Sequence, residues 1–199
     1  GGTMVELAFS PDRQLSDGLI NAYLNEFRRP IASTFVLDTS GSMEGNKIVR
    51  ARAALAAFVQ QIQGDRDRLG IVEFASGTKN FLPLRVMDDD ARRDTINVIE
   101  EMEAFGGTAL VDAVYAAVED ITAQGDSGAI NAIVVMTDGQ ENESYYRLHD
   151  LEALLTASGV TPPVIFTIGF GEDADEPLLT EMARIADLGG AACAGAIGV

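Results

Sequence analysis

The sequence predicts an α/β fold in which a doubly wound, mostly parallel sheet of about six strands carries helices on both faces. Short apolar runs of strand length alternate along the chain with longer segments whose apolar residues recur at helical spacing. Such alternation is typical of parallel strands joined by crossover helices. One run contains Pro83, which a central strand tolerates poorly, so we expect that run to form an antiparallel edge strand.

Each element follows from its own residue pattern. The predicted strands are residues 34–37, 69–75, 81–84, 130–136 and 164–169. The predicted helices are residues 16–27, 46–63, 88–102, 108–121, 148–155 and 178–188. Residues 76–80 are expected to make the hairpin before the edge strand. The triplet Asp88-Asp89-Asp90 is interpreted as a helix start, because acidic side chains favour the first helical turn.

Residues 1–30 are expected to precede a single folded domain, which we place at residues 31–199. Gly1-Gly2 resembles a scar from an expression tag. Residues 16–27 are predicted to form an amphipathic lead-in helix that ends before Arg28-Arg29-Pro30. Two interpretations of this helix stay open: it packs on the flank of the domain, or it docks a domain further upstream.

Composition and charge limit the possible functions. At 199 residues with 47% apolar content, the chain is expected to form one domain with a sizeable core. Its formal charge of −17 repels phosphate backbones and anionic membranes, which argues against nucleic acid as a partner. No apolar run approaches the roughly 20 residues that span a bilayer, so we expect no membrane insertion. The single cysteine, Cys193, excludes an internal disulfide.

Polar residues cluster in three predicted loops. Asp38-Thr39-Ser40-Gly41-Ser42 and Thr137-Asp138-Gly139 each follow a strand, and Gly106-Gly107-Thr108 opens a helix. Ligands bind at the carboxyl edge of open α/β sheets, where we expect these loops to meet. Two carboxylates and three hydroxyls would then form an oxygen-only cluster, which suits Mg²⁺ or Mn²⁺ better than zinc. The candidate ligands are Asp38, Ser40, Ser42, Thr108 and Asp138.

Simpler roles exist for several of these residues. Thr108 could cap its helix, Ser42 could belong to a turn, and Asp138-Gly139 is an ordinary turn pair. We favour the metal site because the candidate ligands fall in three separate loops at the same predicted edge of the sheet.

Enzymatic functions are not expected. A serine hydrolase would need a base near Ser40 or Ser42, and the only histidine, His149, lies among leucines on a later helix. A phosphoryl-transfer enzyme with Asp38 as nucleophile would usually carry an aspartate two residues on, where this chain has serine. The G-x-x-x-x-G-K phosphate loop does not occur in the sequence.

The three motifs together resemble the metal-ion-dependent adhesion site (MIDAS) of von Willebrand factor A (vWA) domains of the bacterial type. The resemblance extends from about Ile31 to Leu188. It implies a vWA domain over residues 31–199 with Mg²⁺ (or Mn²⁺ or Ca²⁺) as its cofactor. It also implies that the metal is bound by Asp38, Ser40, Ser42, Thr108 and Asp138. Because the family usually has a last strand where this chain has Ala/Gly-rich residues, we expect an altered or truncated end at residues 189–199.

The resemblance also implies a function. In vWA domains with this site, the sixth metal ligand is an acidic side chain of the partner. We therefore expect a protein-binding or adhesion module that captures a Glu or Asp and belongs to a larger multidomain protein. The alternative is a vWA subunit or cofactor of an ATP-driven complex of the chelatase or AAA type. Localisation stays open, with the cell envelope favoured over the cytoplasm.

Two acidic residues follow Asp138 closely in sequence. Glu141 and Glu143 are expected to lie beside the site and to disfavour partners that carry additional acidic residues.

Overall fold

The computed structural model describes residues 29–62, 66–124, 128–157, 162–170, 174–188 and 195–198. The predicted lead-in helix at residues 16–27 and the Gly1-Gly2 scar lie outside these ranges. None of the helices within the ranges combines the length and the apolar content that crossing a bilayer requires.

Strands and helices alternate along the described chain as predicted. The strands are β1 (Ile31–Asp38), β2 (Arg68–Phe74), β3 (Thr78–Val86), β4 (Ile130–Thr137), β5 (Val164–Gly169) and β6 (Gly195–Gly198). The helices are α1 (Asn46–Gln61), α2 (Asp89–Glu101), α3 (Leu110–Gln124), α4 (Leu148–Leu155) and α5 (Glu176–Leu188). A short 3₁₀ turn, Gly41–Met43, lies between β1 and α1.

The strands form one six-stranded sheet in the order β3-β2-β1-β4-β5-β6. All neighbouring pairs are parallel except β2 and β3, so the prediction of a mostly parallel sheet with one antiparallel edge strand is confirmed. Pro83 lies in that edge strand. The chain goes from β1 to β2 on one side and later returns to β4 on the other, which makes the β1–β4 boundary the switch point where such folds bind ligands.

Helices cover both faces of the sheet. On β1, Val36 points to one face and packs in a buried cluster with residues of α3, α4 and α5. Its neighbours Phe35 and Leu37 point to the other face and pack in a second cluster with residues of α1 and α2. β1 is almost wholly buried because it lies at the centre of this three-layered arrangement. The carboxyl end of the strand is therefore held rigidly from both sides.

Several element boundaries differ from the prediction, and the largest differences lie at the hairpin before β3 and at the end of the chain. The hairpin turn is shorter than residues 76–80: it closes with a hydrogen bond from Ala75 N to Gly77 O at 2.9 Å, and β3 begins at Thr78. A last strand is present within the Ala/Gly-rich end, because Gly195–Gly198 pairs with β5 in parallel register. An edge strand needs ladder hydrogen bonds on one side only, so backbone pairing suffices where alanine and glycine offer little strand propensity.

Candidate metal centre

The first candidate loop leaves the carboxyl end of β1 and is fixed by backbone hydrogen bonds. Thr39 N donates to Phe74 O at 2.8 Å, which ties the loop to the end of β2. Gly41 N donates to Gly106 O at 3.0 Å, and Phe105 N donates to Thr39 O at 2.9 Å. These bonds hold the loop that precedes α3 against the loop that follows β1.

The backbone at this junction requires glycine. Gly106 has a φ of 94°, and a Cβ there would lie 3.0 Å from the hydroxyl oxygen of Ser76. The same hydroxyl accepts a hydrogen bond from Gly107 N at 2.8 Å. The Gly-Gly pair of the sequence motif thus has a conformational role in placing Thr108.

The loop that follows β4 is tied to the loop that precedes α3. Asn142 N and Glu143 N donate to Thr108 O at 3.1 and 3.2 Å, and Thr108 N donates to the side-chain oxygen of Asn142 at 3.0 Å. The three loops therefore form one connected layer at the carboxyl edge of the sheet.

Asp38 lies at the base of this layer and is fully buried. Its Oδ1 accepts a hydrogen bond from Ser40 N at 2.7 Å, and its Oδ2 accepts one from the hydroxyl of Thr137. Burial raises the pKa of the Asp38 carboxyl above its ordinary value of 3.8, and the hydrogen bonds from Thr137 and Ser40 oppose that rise. The charge of Asp138 raises the pKa further.

The side chains of three further predicted ligands are linked by hydrogen bonds. Ser40 Oγ lies 3.0 Å from Ser42 Oγ, and the Ser42 hydroxyl donates to Asp138 Oδ1 at 2.7 Å. Asp138 is fully buried, and its second oxygen, Oδ2, forms an ion pair with the ammonium of Lys47. One carboxylate therefore contacts a hydroxyl of the first loop and a cation from the first turn of α1.

The surroundings of Gly139 show that oxygens of the predicted ligands lie close together. A Cβ at this position would lie 3.1 Å from Thr108 Oγ1, 3.3 Å from Ser42 Oγ and 3.7 Å from Asp38 Oδ2. The structure thus brings all five predicted ligands together. Above them opens a cavity of about 360 Å³, lined by Ser40, Ser42, Thr108 and Asp138 among others.

The donor set fits a hard divalent cation. Within the described residues, no group of three or more His, Cys, Asp or Glu side chains is placed to hold a metal. The hydroxyls of Ser40, Ser42 and Thr108 would therefore have to complete the coordination that Asp38 and Asp138 begin. Oxygen ligands of this kind suit Mg²⁺, Mn²⁺ or Ca²⁺.

Thr108 is not the cap of α3. The amide of Val111 donates to Glu141 Oε2 at 3.0 Å, and the amide of Asp112 donates to Ser144 Oγ at 3.2 Å. The amino end of the helix is thus satisfied by side chains from the loop after β4. The Thr108 hydroxyl points instead toward Gly139.

Glu141, which was expected beside the site, has a structural role in the loop that follows β4. Its carboxylate accepts hydrogen bonds from Glu143 N, Ser144 N and Ser144 Oγ at 2.9, 2.7 and 2.6 Å, besides the bond from Val111 N. Glu141 therefore organises the loop and caps α3, a role that the sequence did not indicate. Only Glu143 remains exposed, with its carboxyl group against the backbone of Gly107.

A second polar network connects the loop after β1 to residues of β2 and β3. The Thr39 hydroxyl donates to Glu73 Oε1 at 3.0 Å, and the Lys79 ammonium lies 3.0 Å from the Thr39 hydroxyl and 3.4 Å from Glu73 Oε1. Glu73 is buried in β2. Thr39 is not one of the predicted ligands, and no local sequence pattern links it to residues in β2 and β3.

The histidine considered for catalysis lies apart from the cluster. The His149 side chain is 78% exposed on α4, next to Asp150 at 3.3 Å. It contacts none of the serines of the first loop.

A doubly wound sheet with a carboxylate and hydroxyl cluster at its switch point defines a vWA-like α/β domain. A family model of the von Willebrand factor type A domain matches residues 34–193. The chain belongs to this family. Membership indicates a protein-interaction module of the kind found within larger multidomain proteins.

Individual relatives of known sequence share about a third of their residues or fewer with the matched part of the chain. Inter alpha-trypsin inhibitor heavy chain 4 of Mus musculus is 30% identical over 160 residues, which span 75% of this chain and 16% of that protein. The chain therefore covers only a small part of this relative. The alternative of a subunit in an ATP-driven complex is not favoured by this match.

Solved structures share the fold. A von Willebrand factor type A protein from Catenulispora acidiphila aligns with a TM-score of 0.70 and 20% identity, over 85% of this chain and 38% of that chain. Proximal thread matrix protein 1 from the mussel byssus, with a zinc-occupied MIDAS motif, aligns with a TM-score of 0.65 and 18% identity, over 85% and 43% of the two chains.

Proposed function

We propose that this domain binds one divalent cation at Asp38, Ser40, Ser42, Thr108 and Asp138, and that it captures an acidic side chain of a protein partner through that cation. The observation that carries the proposal is the convergence of Thr108, Ser42 and Asp38 oxygens on one point beside Asp138. Helix capping does not require this arrangement, because other side chains cap α3.

The charge of the proposed ligands indicates that the partner's side chain is acidic. Two carboxylates balance one divalent cation, and neutral hydroxyls fill further positions without reducing its attraction for anions. The cavity above the ligands leaves room for an incoming side chain. Because the chain carries a formal charge of −17, an acidic group would be repelled at long range, and its capture requires the short-range metal bond.

The choice of ion follows from the ligands of this chain. The mussel protein with a zinc-occupied MIDAS supports a divalent cation at such a site. Oxygen ligands alone favour Mg²⁺ or Mn²⁺ here, with Ca²⁺ as a further candidate. We also propose that the domain has no catalytic activity of its own, because the cluster contains no histidine that could serve as a base for Ser40 or Ser42.

Calorimetric titration with Mn²⁺ and Mg²⁺ tests the metal site. The wild-type domain is expected to bind one ion, and Asp38→Ala is expected to lose most of the affinity, because it removes half of the ligands' negative charge. Asp94→Ala removes an equal charge from an exposed position on α2 and is the matched control. Equal binding by wild type and Asp38→Ala would remove the basis of the assignment.

The acidic partner is tested once a binding protein is in hand. Its binding is expected to be lost in EDTA and when one particular Glu or Asp of that partner is neutralised. A partner that still binds in EDTA, and tolerates Thr108→Ala in this domain, would show that the contact does not run through the cation.

A further inference from the structure

Lys47 places a positive charge directly on a proposed metal ligand. Its ammonium pairs with Asp138 Oδ2, while Ser42 donates to Oδ1 of the same carboxylate. Asp138 is fully buried, whereas the Lys47 side chain is 39% exposed. The carboxylate is therefore fixed, and the lysine has access to solvent on its outer side.

The position of Lys47 is not explained by the helix that carries it. Lys47 is the second residue of α1, where the positive end of the helix dipole disfavours a cation. The first turn contains no acidic residue that would offset this charge. The favourable contact in this region is the one that Lys47 makes with Asp138, across 91 residues of sequence.

The positive charges exceed the negative ones when the Lys47 ammonium and a divalent cation both contact the two carboxylates. Asp38 and Asp138 supply two negative charges in fully buried positions. Lys47 alone neutralises one of them, and a divalent cation alone neutralises both. With the ammonium and the divalent cation together, three positive charges would share two carboxylates at close range, which is unfavourable in a partly desolvated site.

We propose that Lys47 is an internal counter-ion that competes with the divalent cation for Asp138 and thereby lowers the affinity of the site. The inference rests on the proposed metal site and adds a residue that sets its affinity. Lys47 stabilises the two carboxylates when the cation is absent and moves toward solvent when it binds. Its flexible side chain and partial exposure allow both positions.

Titration of Mn²⁺ into four proteins tests this competition. Lys47→Met keeps the length of the side chain without its charge and is expected to bind Mn²⁺ about tenfold more tightly than wild type, which corresponds to about 1.4 kcal/mol. Lys47→Arg keeps the charge and is expected to bind no more tightly than wild type. Arg50→Met removes a charge from an exposed position on the same helix and is expected to change the affinity much less.

Thermal unfolding in EDTA gives an independent measurement. Lys47→Met is expected to melt below wild type and below Arg50→Met, because its two buried carboxylates repel each other without a counter-ion. Adding Mn²⁺ in excess is expected to raise the melting temperature of Lys47→Met more than that of wild type.

The outcomes separate the two proposals. If wild type binds Mn²⁺ and Lys47→Met binds it equally or more weakly, Lys47 does not compete and only this inference is wrong. An unchanged melting temperature of Lys47→Met in EDTA contradicts it as well. If neither protein binds Mn²⁺ or Mg²⁺, the proposed metal site is wrong and the inference falls with it.

Discussion

Asp38 lies in a fully buried position, where a negative charge does not favour stability. Burial raises the pKa of this carboxyl above 3.8, so ionised Asp38 is less favourable in the fold than in the unfolded chain. Its contribution to stability is therefore fully present below pH 3.8 and is lost as the pH rises through the folded-state pKa. A bound cation would reverse this effect by favouring the ionised form.

Asp38→Asn is expected to stabilise the domain in EDTA at neutral pH. The amide keeps the shape of the side chain and an acceptor for Ser40 N, while its NH₂ group faces the Thr137 hydroxyl, which can accept. Removing the buried charge should raise the free energy of unfolding by about 1 kcal/mol. Urea unfolding at several pH values measures this, and the gain should shrink as the pH falls. A variant that is less stable than wild type at pH 7 in EDTA would contradict the expectation.

Single residues were unequally predictable from the sequence. Asp38, Ser40 and Asp138 could be selected because each lies in a short motif at the end of an apolar run. The contact of Lys47 with Asp138 and that of Glu141 with Val111 could not be predicted, since these partners lie far away along the chain. Lysines and glutamates near loops are usually solvated, and only the three-dimensional contacts show that these two are not free side chains.

At the scale of elements, the loop after β4 does more than present Asp138. Glu141 and Ser144 cap α3, and Asp112 of α3 in turn accepts hydrogen bonds from Tyr145 N and Tyr146 N at 3.0 and 2.8 Å. The loop and the helix therefore stabilise each other, and the site is placed on this joint unit.

Thr108→Ala and Glu141→Ala are expected to affect different properties: the first Mn²⁺ affinity, the second stability. Thr108→Ala should weaken Mn²⁺ binding with little change in stability, because its hydroxyl does not cap α3. Glu141→Ala should cost about 2 kcal/mol in stability, because it removes an acceptor of several hydrogen bonds and a helix cap. Urea unfolding in EDTA and Mn²⁺ titration measure the two effects.

Glu143→Ala is the control for this pair, since Glu143 is an exposed carboxylate of the same loop. It should change stability little. If Thr108→Ala destabilised the fold as much as Glu141→Ala, Thr108 would have a structural role that its contacts do not reveal.

The elements themselves were largely predictable. β1 and β4 are largely buried on both faces, whereas β5 is fully buried on one face only, and apolar runs mark all three strands in the sequence. The last strand escaped prediction because Gly195–Gly198 has no apolar run and forms through pairing with β5. The start of β3 was misplaced because Thr78, Lys79 and Asn80 are polar, yet they pair with β2 at the edge of the sheet.

At the scale of the whole molecule, cation binding should be visible as stabilisation. A ligand at a hundredfold excess over its Kd adds about 2.7 kcal/mol to the free energy of unfolding, which raises Tm by roughly 5 to 10 °C for a domain of this size. We expect such a shift with Mn²⁺ in wild type and no comparable shift in Asp38→Ala.

Screening of the −17 charge must be separated from binding at the site. KCl at matched ionic strength screens the surface without occupying a divalent site, and melting curves by scanning calorimetry compare the two salts. An equal rise of Tm in KCl and MnCl₂ would attribute the stabilisation to screening alone.

The central position of β1 determines how the domain would respond to tension. Its first residue, Ile31, lies at the amino end of the strand, and its last, Asp38, is a proposed cation ligand at the carboxyl end. A pulling force between a captured partner and the chain before Ile31 would therefore run along this single strand. β1 is paired in parallel with β2 and β4 along nearly its whole length, so the force would load both ladders in shear. Hydrogen bonds loaded in this way must break together rather than one after another, which is the arrangement that best resists extraction of a strand.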